Sequence, residues 1–157
     1  MNWGNIALWG FMATVILTVI MDTGRGIGLT RMDIPFMLGT VFTPDRDRAK
    51  WIGSFVHIID GWIFALLYAA AFNSARIFTW WFGMAIGFVH ALAVLGIGTR
   101  LLPHVHPRMA TDARGPDPTR QLEPPGFFAI NYGWSTPTTT IFAHLIYGGI
   151  LGLFYRL

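Results

Sequence analysis

The feature that most constrains this chain is the apolar run 51–72, WIGSFVHIIDGWIFALLYAAAF, which is long enough to cross a bilayer yet contains a histidine and an aspartate. A bilayer core about 30 Å thick is crossed by about 20 apolar residues in an α-helix. His57 and Asp60 are three residues apart, so a helix places them on one face. Ionisable side chains at this depth normally face a bundle interior, a water-filled cavity or a bound ion. The run therefore predicts a spanning helix with a polar face turned into the protein.

Composition supports a membrane protein. The chain has 157 residues, of which 54% are hydrophobic and 12% are charged, whereas about a quarter of the residues of a soluble domain are charged. The net charge is +3, but basic residues alternate with acidic ones, so we predict the lipid bilayer and no nucleic acid as partner. Cysteine is absent, which excludes disulfides, thiolate metal ligands and covalently attached c-type haem.

Three further apolar runs complete the predicted fold. We expect an all-α integral membrane protein, a four-transmembrane-helix bundle forming a single membrane domain over residues 1–157, with spans at 3–21, 44–72, 76–100 and 137–156. The first run has no basic residue before it, which favours a retained helix over a signal peptide. The segment 33–42 is apolar but too short to span, so it is predicted to be interfacial or re-entrant. The loop 100–137 carries four aromatic residues near its end, which favours an ordered cap.

Local signals predict where two helices start and which helix faces pack. The sequences TPD at 43–45 and STP at 135–137 are typical of an N-cap followed by a first-turn proline. Gly83 and Gly87 form a small-xxx-small step, and His144, Gly148 and Gly152 share one stripe of the last helix. Small residues allow helices to approach closely, so the face of Gly83 and Gly87 is predicted to be a packing face.

Four spans place both termini on one side of the membrane and both long loops on the other. The loop side holds nine of the eleven basic residues and seven of the eight acidic ones. The positive-inside rule then predicts a multi-pass protein with cytoplasmic loops and with both termini outside. The nine basic residues are Arg25, Arg31, Arg46, Arg48, Lys50, Arg100, Arg108, Arg114 and Arg120.

Three histidines and one aspartate on three different spans are predicted to lie in one layer. At 1.5 Å per residue, His57 and His144 lie about 9 Å inside the loop-side ends of their helices, and Asp60 and His90 about 13 Å inside. Thr14 of the first helix reaches a comparable depth. The sequence thus predicts that these side chains converge on a shared interior site.

Such a layer suggests three kinds of chemistry. His57, Asp60, His90 and His144 are suitable ligands for an iron, copper or zinc ion. Alternatively, two of the three histidines could hold a b-type haem through axial bonds, with Asp60 fixing a tautomer. The third possibility is a proton relay among the same groups. His104 and His106 of the HVH sequence are predicted to form a rigid turn rather than a separate surface metal site.

A competing hypothesis needs no cofactor. A histidine in a spanning helix often does no more than hydrogen-bond neighbouring helices together. The chain would then be an accessory or scaffold subunit of a larger membrane complex, or of a homo-oligomer, with its loops as the docking surface. The sequence does not reveal a reaction or a substrate, and it does not settle whether the chain is an enzyme.

Overall fold

The computed structural model describes residues 1–111, 115, 117–119 and 122–156, and the described part of the chain is helical without a β-strand. Met109 and Leu122 form an isolated bridge. Four helical segments are long and apolar enough to cross a membrane: Trp3–Gly26, Arg46–Ala75, Trp80–Val105 and Thr136–Phe154. The predicted four-helix architecture is confirmed at this level. Arg114 and Arg120, two of the basic residues counted above, lie outside the described residues.

We number the α-helices along the chain. They are α1 (Trp3–Gly26), α2 (Ile34–Gly39), α3 (Arg46–Ala75), α4 (Trp80–Ala93), α5 (Thr99–Val105) and α6 (Thr136–Phe154). A π-helical turn, Val94–Gly98, joins α4 to α5 in one continuous segment. A 3₁₀ turn at Phe127–Tyr132 precedes α6.

Several helix ends differ from the predicted ones. Helix α1 continues five residues beyond the predicted end at residue 21, where the i,i+3 ion pair of Asp22 with Arg25 supports an extra turn. The second span was predicted to be capped by Thr43, but its N-cap is Asp45, two residues later. The side chain of Asp45 accepts the backbone N–H of Arg48. Polar residues thus extend the helices beyond the apolar runs that predicted them.

The long helices pack in the order α3, α1, α6, α4, while α3 and α4 barely touch. The predicted glycine faces explain the closest pair, α4 with α6. A Cβ atom on Gly83 would overlap the backbone of Gly148, and a Cβ atom on Gly87 would overlap the backbone of His144. The predicted packing face of Gly83 and Gly87 is therefore confirmed, and the bundle is tight along α4 and α6 but loose between α3 and α4.

The segment predicted to be interfacial forms α2, which is packed against the loop-side end of α3. Asp33 caps α2 by accepting the backbone N–H of Phe36. Gly39 and Gly53 allow the two helices to meet backbone to backbone. Helix α2 therefore forms part of a cap over the loop-side end of the bundle.

The long loop is tied to α2 by two side chains near the end of α5. Arg108 donates hydrogen bonds to the carbonyls of Thr40 and Val41, at 2.6 and 3.1 Å. His106 is buried, and its Nε2 lies 3.0 Å from the carbonyl oxygen of Met37. Both nitrogens of this ring are engaged, since Nδ1 accepts the N–H of Arg108. The predicted turn at 104–106 is wrong in its place, because the exposed His104 lies in the last turn of α5 and His106 is the residue that ends this helix.

Candidate functional site

All four predicted site residues line the same cavity. The cavity has a volume of about 240 Å³. Helix α3 contributes His57 and Asp60, α4 contributes His90, and α6 contributes His144. The structure therefore brings these side chains together as the depth pattern predicts, and Thr14 of α1 joins them.

Apolar side chains form most of the remaining wall. Residues of α2 and of the segment just before it cover the loop side of the cavity, together with one proline of the long loop. The structure adds Phe64, Tyr147 and Thr99, which the sequence reasoning missed. Helical spacing could have revealed two of them, because Phe64 follows Asp60 by four residues and Tyr147 follows His144 by three. The apolar lining residues are Leu17, Met32, Ile34, Met37, Leu38, Phe64, Val94, Leu102 and Pro125.

The cavity opens sideways between α3 and α4. The lining residues of α1 and α6, such as Leu17 and His144, are buried, whereas Asp60, Phe64 and Val94 are partly exposed. The π turn Val94–Gly98 lies at this opening, and π turns inside α-helices are frequent at functional sites. A molecule dissolved in the surroundings of α3 and α4 could enter here without unfolding the bundle.

His90 forms the main contact across the gap between α3 and α4. Its ring stacks on Phe64 with centroids 3.8 Å apart, and its Nδ1 lies 3.3 Å from the hydroxyl oxygen of Tyr68. The same ring touches His144 of α6 edge to face, at a centroid distance of 4.6 Å. His90 therefore closes the floor of the cavity toward the terminal side of the bundle.

The tautomer of His144 follows from its hydrogen bond. Its Nδ1 lies 2.8 Å from the carbonyl oxygen of Thr140, and a carbonyl can only accept, so Nδ1 carries the proton and Nε2 keeps a lone pair. His57 is different, because its buried Nε2 has no hydrogen-bond partner among the described residues. A buried polar atom without a partner costs about 1–3 kcal/mol. A ligand atom that hydrogen-bonds to Nε2 of His57 would remove this cost.

Asp60 is the acidic group of the site. The described residues form three ion pairs, and Asp60 takes part in none of them. No arginine or lysine is among the described residues that line the cavity. A carboxylate in an apolar cavity without a cation nearby is costly, so a bound positive charge or hydrogen-bond donor would stabilise it.

The geometry bears on both predicted cofactors. Among the described residues, no group of three or more His, Asp or Glu side chains is close enough together to hold a metal ion. A haem between His90 and His144 would need ring centroids roughly 6 Å apart, given iron–nitrogen bonds of about 2 Å on each face. Their observed separation is 4.6 Å. A metal ion held by three of these groups, or a haem between His90 and His144, would therefore require these side chains to move.

Comparison with known proteins gives no guide to the site. No protein-family model, no curated protein and no solved structure matches this chain. Any functional assignment must therefore be argued from the chain's own residues.

Proposed function

We propose that this chain is an integral membrane protein that crosses the bilayer four times and binds a small lipid-soluble molecule in the cavity between α3 and α4. The observation that carries the proposal is the convergence of His57, Asp60, His90 and His144 on one apolar cavity. A largely apolar cavity with a few convergent polar groups is the usual form of a small-molecule site.

The surface of the helices supports the membrane part of the proposal. Large apolar side chains such as Leu67 and Val89 are exposed in the middle of α3 and α4, where water would be unfavourable and lipid would not. Aromatic residues stand near both ends, as in an interfacial aromatic belt. Trp3, Trp80 and Trp81 are exposed at the terminal end, and Trp51, Phe127 and Trp134 at the loop end.

The size of the cavity supports the ligand part. An apolar cavity of about 150 Å³ in a protein core can bind benzene, so the 240 Å³ found here suits a molecule with one ring and a short substituent. A haem is much larger than this space. The sideways opening supports entry from the bilayer rather than from water.

Single-cysteine variants test the topology, since the natural chain has no cysteine. Asp47 and Ser74 are exposed near opposite ends of α3. In intact cells, a membrane-impermeant maleimide should label Ser74→Cys, whereas Asp47→Cys should react only after the cells are opened. This outcome also tests the predicted cytoplasmic loops. Equal labelling of both variants in intact cells would contradict the topology.

Probe binding tests the cavity. Fluorobenzene should bind the purified protein in phosphatidylcholine nanodiscs with a saturable 1:1 stoichiometry, followed by ¹⁹F NMR against empty nanodiscs. Val94 lines the cavity and Val89 of α4 does not, its side chain being 64% exposed on the surface. We expect Val94→Trp to abolish binding and Val89→Trp to leave it unchanged. Absence of saturable binding, or equal binding by both variants, would refute a ligand cavity.

A metal ion is a second candidate, favoured by His144. A histidine that ligates a metal through one nitrogen usually donates its other N–H to a carbonyl, and the Nδ1 of His144 donates in this way to Thr140. Elemental analysis of the purified protein tests this candidate. Stoichiometric zinc, copper or iron that is lost in His144→Ala would favour the metal, and a Soret band would favour haem. If neither a stoichiometric metal nor a Soret band is found, the lipid-soluble ligand and the cofactor-free subunit remain as candidates.

A further inference from the structure

Four polar side chains of the cavity wall are fixed as hydrogen-bond acceptors. Each hydroxyl in its wall donates its hydrogen to a backbone carbonyl, and so presents only lone pairs to a ligand. Thr14 donates to Gly10 at 2.7 Å, Tyr147 donates to Gly61 at 2.6 Å, and Thr99 donates to the carbonyl of Leu95. The imidazole of His144 likewise uses its hydrogen on Thr140 and presents Nε2 as an acceptor.

The remaining polar groups of the cavity wall are Asp60, His57 and His90. Asp60, when ionised, has acceptor oxygens only. His57 and His90 can each present either a donor or an acceptor, depending on the tautomer. No lysine or arginine supplies a fixed donor among the described lining residues. The fixed hydrogen-bonding groups of the cavity therefore favour a ligand that donates hydrogen bonds over an anion.

From this arrangement we infer that the ligand is a small lipophilic amine, bound as its ammonium ion. The ammonium group pairs with Asp60 and with an acceptor nitrogen such as Nε2 of His144, while the apolar body of the ligand lies against the rest of the wall. Phe64 and Tyr147 add aromatic rings to the wall, and aromatic rings attract cations. This inference rests on the proposed function, because it specifies the ligand of the same cavity.

An organic cation suits the cavity better than a bare ion. A metal ion needs several ligand atoms around one point, and the described acidic and imidazole side chains do not converge in that way. An ammonium ion needs only one to three acceptors, and its apolar body gains from the apolar wall that covers most of the cavity.

Four probes of nearly equal size test the inference, in the same zwitterionic nanodiscs: 4-fluorobenzylamine, 4-fluorobenzyl alcohol, 4-fluorotoluene and 4-fluorobenzoate. At pH 7 the amine is cationic and the benzoate is anionic. We expect the amine to bind at least about tenfold more tightly than the toluene, since hydrogen bonds to charged groups are the strong ones. The alcohol should lie between them, and the benzoate should bind most weakly.

Asp60→Asn should reduce the ratio of amine affinity to 4-fluorotoluene affinity to about one, and circular dichroism shows independently that the variant is folded. Asp47→Asn is the matched control, because Asp47 is an exposed acid in the first turn of the same helix. If the amine and the toluene bind the natural protein equally, the inference is wrong but the ligand cavity stands. If zinc binds 1:1 and the amine does not, the inference is wrong in favour of a metal. If no probe binds, the proposed cavity itself is refuted.

Discussion

The imidazole rings of His90 and His144 meet edge to face, with centroids 4.6 Å apart and an angle of 88° between the planes. They come from α4 and α6, whose backbones touch at Gly83 and Gly148. The separation of the two rings is therefore set by the close approach of the two helices. Changes at these glycines should alter both the stability of the bundle and the shape of the cavity.

Gly83→Ala should lower the free energy of unfolding by about 1–3 kcal/mol, the usual cost of overpacking a tight contact. The new Cβ would overlap the backbone of Gly148, which cannot move aside without shifting α6. Gly4→Ala in α1 is the matched control, because its Cβ meets only the Asn2 side chain at 3.6 Å. The control should be neutral or slightly stabilising, since alanine favours helix over glycine. Unfolding in mixed micelles, followed by circular dichroism, measures both; equal stability of the two variants would contradict the packing.

Arg108→Ala should loosen the contact between the long loop and α2. Its guanidinium donates to two carbonyls at the end of α2, those of Thr40 and Val41, and hydrogen bonds from charged groups contribute about 1.5–3 kcal/mol. Hydrogen exchange of the amides in residues 37–43 should become at least severalfold faster. Arg48→Ala removes an exposed arginine from the first turn of α3 and should leave this exchange unchanged. Similar exchange in both variants would mean that Arg108 does not anchor the loop.

The two histidines of the HVH sequence should respond differently to substitution. His106 is 3% exposed, contacts the carbonyl of Met37 and accepts the N–H of Arg108, so His106→Ala removes both contacts and should cost about 1–3 kcal/mol. His104 is exposed, and His104→Ala should change the stability by less than about 0.5 kcal/mol. Thermal unfolding compares the two. A larger effect at His104 would mean that the exposed ring has a role the structure does not show.

The buried hydroxyl of Tyr132 should make the stability of the fold depend on pH in the alkaline range. Burial raises the pKa of its hydroxyl to about 12, with a further contribution from Glu123 that outweighs Arg31. The unfolded chain has a tyrosine pKa of about 10, so the fold favours the neutral phenol. This stabilising contribution is complete below pH 10 and is lost as the pH rises through about 12.

Tyr132→Phe should therefore lose less stability than the natural protein between pH 10 and 12. Denaturant unfolding at a series of pH values measures the difference, and absorbance at 295 nm follows the phenolate directly. Parallel stability curves for the two proteins would show that Tyr132 titrates as it does in the unfolded chain.

The sequence was sufficient for the four long helices and for expecting the polar residues at one interior site. Apolar runs set which segments form long helices, and the rise of 1.5 Å per residue fixes how deep His57 or His144 lies. Helix ends were less predictable. Residues such as Asp22 and Arg25 extend α1 by an ion pair that hydropathy does not register, and Asp45 rather than Thr43 caps α3.

The π turn Val94–Gly98 had no recognisable signal in the sequence. The gap between α3 and α4 had no recognisable signal in the sequence either, because it depends on which pairs of helices pack closely. Small residues bring α4 against α6, whereas Phe64 and Tyr68 hold α3 away from α4 through contacts with His90.

By itself, the order of residues determined that four apolar helices form and that three imidazoles and one carboxylate share a level within them, because hydropathy and helical rise are local properties. Only the tertiary structure decided that these groups surround an open cavity and that His144 uses its ring hydrogen on a backbone carbonyl. That outcome depends on contacts between residues far apart in the chain, such as Tyr147 with Gly61. It also depends on the gap that the packing of the helices leaves between α3 and α4.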